Sequence, residues 1–390
     1  MDRIKFQILF TVFIDILGFA IIIPTLPYYV ESFGATPLQL TLLMAVFSFF
    51  SFFSAPILGA MSDKFGRRPI LIASLASTAF GWVVFSMANT LWMLFLGRII
   101  DGIAAGNIPI AQSYLVDIAK DEKERTENLG MIGAIVGIGF IVGPAIGGLL
   151  SGIGPNIPFW FVAILSLINT VLCCFYLPEV HTKRDLHQGK ISLNPLKPIV
   201  KAIKSKKLRA GYGIWLLFAI PLCIYHSIFA LYLNSAFGYT AVGSGLFLTF
   251  VGLIIAFNQV VLMKNFWLKF DAKKLEIFIF PIFALSFFFM SLEQVIIFYL
   301  AVIACTTTQV ILRALIPSQL VGKDDNHRGE IMGTLASIES IAMIVGPIIA
   351  GYAFEWNIAS PFWIAGIIAL FLVTVSFYNF KKLKAIPTAQ

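Results

Sequence analysis

Two carboxylic acids and one arginine–aspartate pair lie deep inside apolar stretches of this sequence, where charged side chains are rare. Asp15 and Glu339 each lie about nine residues, or roughly 14 Å along a helix, from the end of the stretch that contains them. A carboxyl group in such surroundings exchanges a proton when a neighbouring cation approaches or leaves it. Both residues are therefore candidate proton carriers, and a static ion pair is the alternative for each.

Arg98 and Asp101 form the second charged candidate. Their spacing places them on one face of a helix, where they could neutralise each other or take part in proton coupling. Arg313 lies close to the end of its apolar stretch, and a long side chain that reaches the polar boundary accounts for it. We therefore count Arg98 and Asp101, but not Arg313, among the proton-coupling candidates.

Uncharged polar residues inside the apolar stretches could bind a small molecule or hydrogen-bond a neighbouring helix, and both interpretations stay open. These residues are Asn107, Gln112, His226, Asn258 and Gln259. His226 is the only one of the 4 histidines inside such a stretch, so a metal site or catalytic triad lacks a second residue. We predict no catalytic residue, no metal ligand and no enzyme activity.

The composition shows which elements must position these groups. With 59% hydrophobic and 12% charged residues, and a mean hydropathy of +0.90, the chain has too little polar surface for water and is suited to lipid. A membrane-spanning helix needs about 20 mostly apolar residues. Twelve such stretches occur, near 6–30, 39–61, 70–88, 91–113, 129–152, 157–177, 210–233, 242–263, 275–291, 295–317, 331–353 and 357–380. We predict an all-α membrane protein with twelve transmembrane helices. We expect the first of them to be a transmembrane helix and not a cleaved signal peptide.

The distribution of the cations predicts the orientation of the chain. The net charge is +8, and the loop cations all fall in alternate connections, as the positive-inside rule requires. Both termini are therefore expected in the cytoplasm, and a nucleic-acid-binding face is excluded. The Lys-rich segment 178–208 separates six stretches from six, so we predict N-terminal and C-terminal halves at 1–177 and 209–390 around a cytoplasmic linker.

The two halves are an internal duplication. Gly130 corresponds to Gly333, Gly143-Pro144 to Gly346-Pro347, and Pro158-Phe159-Trp160 to Pro361-Phe362-Trp363. Parallel repeats of six helices, with the substrate handled near mid-bilayer, are one known architecture of secondary transporters.

The connection between the second and third stretches carries glycines and charges at fixed positions. These are Gly59, Asp63, Gly66, Arg67, Arg68 and Pro69. A basic turn that only enforces topology is one explanation. The pattern also resembles the loop signature of the major facilitator superfamily. That resemblance implies a cytoplasmic charge latch of Asp63, Arg67 and Arg68, with Asp117 as partner, which steadies the outward-open state.

The first and fifth stretches narrow the resemblance. Asp15 with the following Pro24, and Gly143-Pro144, are similar to the drug/proton antiporter branch of that superfamily, nearest to the tetracycline/proton antiporters. The resemblance gives Gly143 and Pro144 the role of a hinge and Arg98 a role in coupling, although helix packing alone would also explain the glycines. Gly81 stands where tetracycline exporters carry an acidic residue. The ninth apolar stretch, 275–291, lacks the aspartate that those exporters use in proton movement. Tetracycline is therefore not the expected substrate.

The sequence and the resemblance together predict a secondary active transporter that exports a small amphipathic, drug-like compound in exchange for protons by alternating access. A proton-coupled carrier of another metabolite, such as a sugar or siderophore, is the alternative, and a non-transporting membrane receptor is a further one. We expect no cofactor beyond the proton gradient, because no phosphate-binding loop is present. The expected partners are the solute, protons and lipid, with a monomer in the bacterial cytoplasmic (inner) membrane.

Overall fold

A computed structural model describes residues 3–179, 199–200, 204–205, 208–322 and 328–384. Most of the linker predicted at 178–208, and the extreme termini, lie outside the described residues. Within those ranges the regular elements are helices: α1 Arg3–Glu31, α2 Pro37–Phe65, α3 Arg67–Ser86, α4 Leu91–Ile103, α5 Asn107–Asp117, α6 Glu122–Ser151, α7 Ile157–Tyr176, α8 Arg209–Phe237, α9 Ala241–Phe257, α10 Ala272–Met290, α11 Val295–Val321, α12 Arg328–Trp356 and α13 Ser360–Lys384. A short π-helical segment, Asn258–Leu262, follows α9.

The helices confirm the predicted all-α architecture with twelve membrane spans. Within the described ranges, eleven segments are long and apolar enough to cross a bilayer, with α4 and α5 together forming one of them. The twelfth, Leu275–Met290, is shorter. The short connections without Lys or Arg lie between consecutive helices. Examples are the connection between α1 and α2 and the one between α12 and α13.

The start and end of α2 show how the sequence fixes its boundaries. Thr36 is the N-cap, its side chain accepts from the Gln39 backbone N–H, and the Gln39 side chain accepts from the Thr36 N–H. Pro37 at the first helical position needs no hydrogen-bond donor. At the other end, Gly66 has φ 102°, which a side chain at Cβ would disfavour, and the chain turns there into α3.

The fourth span is broken, although its sequence predicted one continuous stretch at 91–113. Pro109 has no N–H and its ring would clash with the carbonyl of Ala105 in a continuous helix. α4 therefore ends at Ile103 and α5 starts at Asn107. Serine side chains from other helices donate hydrogen bonds to backbone carbonyls around the interruption. Ser54 Oγ donates to the Gly102 carbonyl at 2.7 Å, and Ser74 Oγ donates to the Ala104 carbonyl.

The chain divides into two compact units. The first comprises Met1–Pro195 and Tyr239–Phe250, and the second comprises Leu196–Gly238 and Val251–Gln390. In the first unit a buried aromatic cluster of Tyr29, Trp82, Phe85 and Phe159 forms the core next to the site described below. The second unit has its own aromatic core, in which the ring of Tyr232 packs edge-on against that of Phe362.

Candidate functional site

Asp15 lies at the centre of a hydrogen-bonded group in the first unit. Its carboxylate on α1 accepts a hydrogen bond from Asn107 Nδ2 at 2.7 Å, and Thr78 Oγ1 on α3 lies 3.1 Å from the same nitrogen. Asn107 is the first residue of α5 and only 3% exposed. Among the described residues, no ion pair involves Asp15. The amide of Asn107 contacts the candidate proton carrier, and solute binding by this residue stays a prediction.

Arg98 and Asp101 form a buried pair on α4. Arg98 Nη2 lies 2.6 Å from Asp101 Oδ2, and the two residues are 5% and 7% exposed. The guanidinium carbon lies 4.7 Å from the ring centre of Phe47 and 5.0 Å from that of Trp82. The ring faces and the carboxylate replace the water that this cation has lost. Asp101 also acts electrostatically on Asp15, which links the two candidate sites.

Gly81 is the position at which α3 approaches α4 most closely beside this pair. A Cβ added there would lie 3.0 Å from the Gly97 carbonyl oxygen and 3.1 Å from the Asp101 nitrogen. Both helix backbones would have to shift to admit a side chain. The acidic group in this part of the first unit is therefore the Asp101 carboxylate, on the facing helix.

The second unit contains a different charged group. Glu339 Oε1 on α12 lies 2.7 Å from Arg313 Nη2 on α11, and their side chains are 20% and 44% exposed. His226 on α8 is exposed and within the electrostatic reach of Arg313. The half-buried Cys223, one turn earlier, is also within that reach. The expectation that Arg313 only reaches toward the polar boundary was wrong, because its guanidinium turns to the Glu339 carboxylate.

The remaining polar candidates are dispersed. Asn258, buried at the start of the π-helical segment, donates to the Ile254 carbonyl at 3.0 Å and lies 3.4 Å from Thr307 Oγ1 on α11. Its amide therefore contacts a neighbouring helix through Thr307, and solute binding by Asn258 stays a prediction. Gln112 on α5 and Gln259 are exposed. Among the described residues, no group of three or more His, Cys, Asp or Glu could hold a metal ion.

The predicted cytoplasmic latch centres on one arginine. The buried Arg67 donates from Nε to Asp117 Oδ2 at 2.9 Å and pairs through Nη2 with Asp63 Oδ1 at 2.5 Å, so it joins α2, α3 and α5. Its Nη1 donates to Ser62 Oγ at 2.7 Å. Arg68 was predicted to share this network but lies outside it and donates to the Cys174 carbonyl at 2.6 Å. Consecutive helical residues point about 100° apart, so the two arginines face different neighbours.

Three glycines of α6, Gly139, Gly143 and Gly147, lie against α1. A Cβ at Gly143 would lie 2.5 Å from Ala20 Cβ, and a Cβ at Gly139 would lie 2.6 Å from Ile16 Cγ2. Pro144 lies inside α6, which continues without a break to Ser151. Close helix packing is what these contacts show, and a hinge at Gly143-Pro144 stays a prediction. Gly59, the first glycine of the loop signature, lies within α2 and has open space around it. Its carbonyl accepts a hydrogen bond from Ser62 Oγ at 2.7 Å.

Sequence reasoning missed Thr78, which reads as an ordinary buried threonine. It also missed a buried polar cluster on the same helix as Asp15, in which Gln7 Nε2 and Thr11 Oγ1 both donate to Asn169 Oδ1, at 3.0 and 3.1 Å. A signal for this cluster was present, since Gln7, Thr11 and Asp15 recur every four residues and share a helix face.

Within the described residues, eleven long apolar spans and one shorter one, with charged groups inside them, define a polytopic membrane protein. The Major Facilitator Superfamily profile matches residues 8–323, and the chain belongs to this superfamily. It is 28% identical to the tetracycline resistance protein, class H, of Pasteurella multocida over 98% of each chain. It is 25% identical to multidrug resistance protein 2 of Bacillus subtilis (strain 168), over 93% of this chain and 92% of that protein.

A solved structure shows the same fold. The nucleoside transporter NupG superposes with a TM-score of 0.76 at 16% identity, covering 98% of this chain and 100% of that one. The protein is therefore a multi-pass membrane transporter and not an enzyme, and its sequence relatives are drug-resistance proteins.

Proposed function

We propose that this protein exports a small amphipathic organic compound in exchange for protons. The sequence relatives are named for resistance to tetracycline or to several drugs, which supports an organic, membrane-permeant solute as cargo. Asp15 supports proton exchange as the second part of the proposal. Its carboxylate lies within a membrane span, and its hydrogen-bond partner is a neutral amide rather than a cation.

The single observation that carries this proposal is the Asp15–Asn107 hydrogen bond. A carboxylate paired with a fixed guanidinium is held in its ionised form, whereas a carboxylate held by a neutral amide can alternate between the ionised and neutral forms. Antiport requires that proton binding and solute binding disfavour each other, and a charge change inside the first unit supplies such a coupling. Asp101, held by Arg98, is the nearby charge through which this change reaches α4.

Glu339 is the second proton-coupling residue of the proposal. Its partner Arg313 is partly exposed rather than fixed, so the Glu339 carboxyl can take up a proton when the guanidinium moves out of the 2.7 Å pair. A freed guanidinium beside the exposed His226 is suited to the polar end of an amphipathic compound. Glu339 and Asp15 would then divide the coupling role, one in each compact unit.

We further propose that the protein acts as a monomer in the cytoplasmic (inner) membrane of a bacterium, with both termini and the linker in the cytoplasm. The positions of the loop cations support that orientation. The Asp63–Arg67–Asp117 network then lies at the cytoplasmic ends of α2, α3 and α5, where it steadies one of the two states of the cycle. The proton gradient is the energy source.

The proposal is tested with purified protein in liposomes of acidic lumen, using ethidium as a lipophilic cation. We expect ethidium to accumulate while the luminal pH rises. Asp15→Asn mimics the neutral form, so accumulation should fall at least tenfold while ethidium binding and downhill exchange persist in part. Asp121→Asn is the matched control, because asparagine caps α6 as well as aspartate does. Full accumulation by Asp15→Asn at normal expression would contradict the proposal.

A further inference from the structure

The amide of Asn107 uses only one of its two polar atoms. Its Nδ2 donates to Asp15 Oδ1 at 2.7 Å and lies 3.1 Å from Thr78 Oγ1. Its Oδ1 is buried and has no hydrogen-bond partner among the described residues. A buried carbonyl oxygen without a partner is costly, so a second state of the site in which that oxygen accepts a hydrogen bond would account for it.

The chemistry of a carboxyl group supplies that second state. An ionised carboxylate only accepts hydrogen bonds, whereas a protonated carboxyl also donates one, and an amide offers both a donor and an acceptor. We propose that Asn107 is the positioning residue of Asp15 in both protonation states. Nδ2 donates to the ionised carboxylate, and after rotation of the amide Oδ1 accepts from the protonated carboxyl. The proton stays on the Asp15 carboxyl throughout, and Asn107 neither gains nor loses one.

The break in the fourth span places Asn107 at a helix start. Asn107 is the first residue of α5 and directly follows the interruption that begins after Ile103. The Gly102 and Ala104 carbonyls on this interruption accept from Ser54 and Ser74 rather than only from within their own helix. Pro109 prevents the segment from closing into a continuous helix. The side chain beside the proton carrier is thus attached to the first residue of a helix, directly after a turn, rather than to a helix interior.

The charged surroundings of Asp15 leave Asn107 as its main polar partner. Asp101 on α4 acts on it electrostatically and is itself paired with Arg98. The charged residue of α6 that contacts α1 is Glu124, which lies 3.8 Å from Lys5, ten residues before Asp15. α7 consists of uncharged residues, and so does α3 apart from its first two positions. The charges of α2 lie at its cytoplasmic end with Arg67, and that of α5 is Asp117 at its last position.

The test is an infrared titration of the Asp15 carboxyl band, assigned by its loss in Asp15→Asn. A hydrogen bond to a charged group is about twice as strong as one between neutral groups, so removing the amide costs the ionised form more. Asn107→Leu should therefore move the titration midpoint upward by about one pH unit. Asn107→Ser keeps a donor and an acceptor and should move it less.

Asn128→Leu is the matched control. Asn128 is a buried asparagine of the same unit, and it also donates from Nδ2, to the Leu115 carbonyl at 2.9 Å, while its Oδ1 has no partner among the described residues. The Asp15 midpoint should not change in this variant. If Asn107→Leu does not yield folded protein, Thr78→Val, which removes the second group near Nδ2, should move the midpoint in the same direction by a smaller amount.

The result separates this inference from the proton-exchange function on which it rests. An unmoved Asp15 midpoint in folded Asn107→Leu overturns the positioning role, even if transport by the wild type depends on Asp15. A moved midpoint supports it, even if Asp15→Asn accumulates ethidium normally and the proposed function fails.

Discussion

The two membrane carboxylates look alike in the sequence but have different partners in the structure. Asp15 accepts a hydrogen bond from a neutral amide, whereas Glu339 pairs with Arg313 across α11 and α12. Removing the charge of Asp15 leaves no unpaired cation behind, but removing that of Glu339 leaves one. The two residues must therefore be tested with different controls.

Glu339→Gln is the first prediction at this scale. Proton-driven ethidium accumulation should fall while downhill exchange survives in part, because the amide mimics the protonated state. The double variant Arg313→Gln/Glu339→Gln removes both charges and is the control for a purely structural pair. If the single variant loses thermal stability and all modes of transport, and the double variant recovers both, Glu339 serves the fold and not proton coupling.

The second prediction concerns Gly81. Expression should give little or no tetracycline resistance but should reduce susceptibility to a lipophilic dye, measured as inhibitory concentrations in a strain without its own efflux pumps. Gly81→Asp should not create tetracycline resistance, since a Cβ there meets the Gly97 carbonyl oxygen at 3.0 Å and the α3–α4 contact would open. Strong and selective tetracycline resistance of the wild type would show that this reading of Gly81 is wrong.

The sequence could identify residues with unusual chemistry but not their partners. Asp15 and Asn107 both stand out as polar residues in apolar stretches, yet they are far apart in the chain and only the folding of α1 against α5 joins them. Glu339 and Arg313 are a similar case. The Arg98–Asp101 pair was predictable, because both residues lie on one helix and their spacing alone brings them together.

At the scale of helices, the contact between α1 and α6 is a close packing in the first unit. Gly139, Gly143 and Gly147 recur every four residues and face Ile16, Ala20 and Ile21. In lipid, helices associate through such close approach of their backbones, since water does not drive apolar surfaces together. Small residues at this spacing therefore let α1, which carries Asp15, pack closely against α6.

The third prediction tests this contact with two glycines of the same helix. Gly143→Val should lower the free energy of unfolding by about 1–3 kcal/mol, because the new side chain overlaps Ala20. Gly137→Val should change it little, since nothing lies within 4 Å of a Cβ at that position. Thermal unfolding of both purified variants measures the difference. Equal losses would mean that the glycines matter for the helix itself and not for the contact.

The break in the fourth span shows where a hydropathy pattern stops being informative. Hydropathy predicts that 91–113 crosses the membrane, and the helical segment Leu91–Asp117 is long and apolar enough to do so. The pattern does not reveal that Pro109 interrupts the helix, because prolines are tolerated in several spans of this chain, such as Pro144 within α6. Whether a helix bends or breaks depends on neighbours that satisfy the freed carbonyls, here Ser54 and Ser74.

At the scale of the whole molecule, the twelve spans follow directly from composition. A backbone in lipid must satisfy its own hydrogen bonds, so each long apolar stretch forms a helix, and the short connections between them are fixed as well. The arrangement of the helices within each unit does not follow in this way, because it depends on side-chain contacts between distant spans.

The fourth prediction concerns the orientation of the chain. Single cysteines at Ser192, in the linker, and at Ser235, exposed near the end of α8, should react from opposite faces of the membrane in a background without the native cysteines. A membrane-impermeant maleimide on intact cells should label Ser235→Cys only. Labelling of both positions from outside would contradict the cytoplasmic linker and the positions of both termini.

The broken fourth span also has a consequence for how the protein is made. Leu91–Asp117 has a mean hydropathy of 1.3, the lowest of the eleven long spans in the described ranges, and carries Arg98 and Asp101. Each such charge costs about 2.5–3.5 kcal/mol at the centre of a helix leaving the translocon. The groups that offset this cost, Trp82 and Phe47, arrive on the two preceding spans. We expect the fourth span to insert poorly alone and efficiently behind α2 and α3, so that biogenesis of the first unit depends on the order of synthesis, as glycosylation mapping of staged fragments would measure.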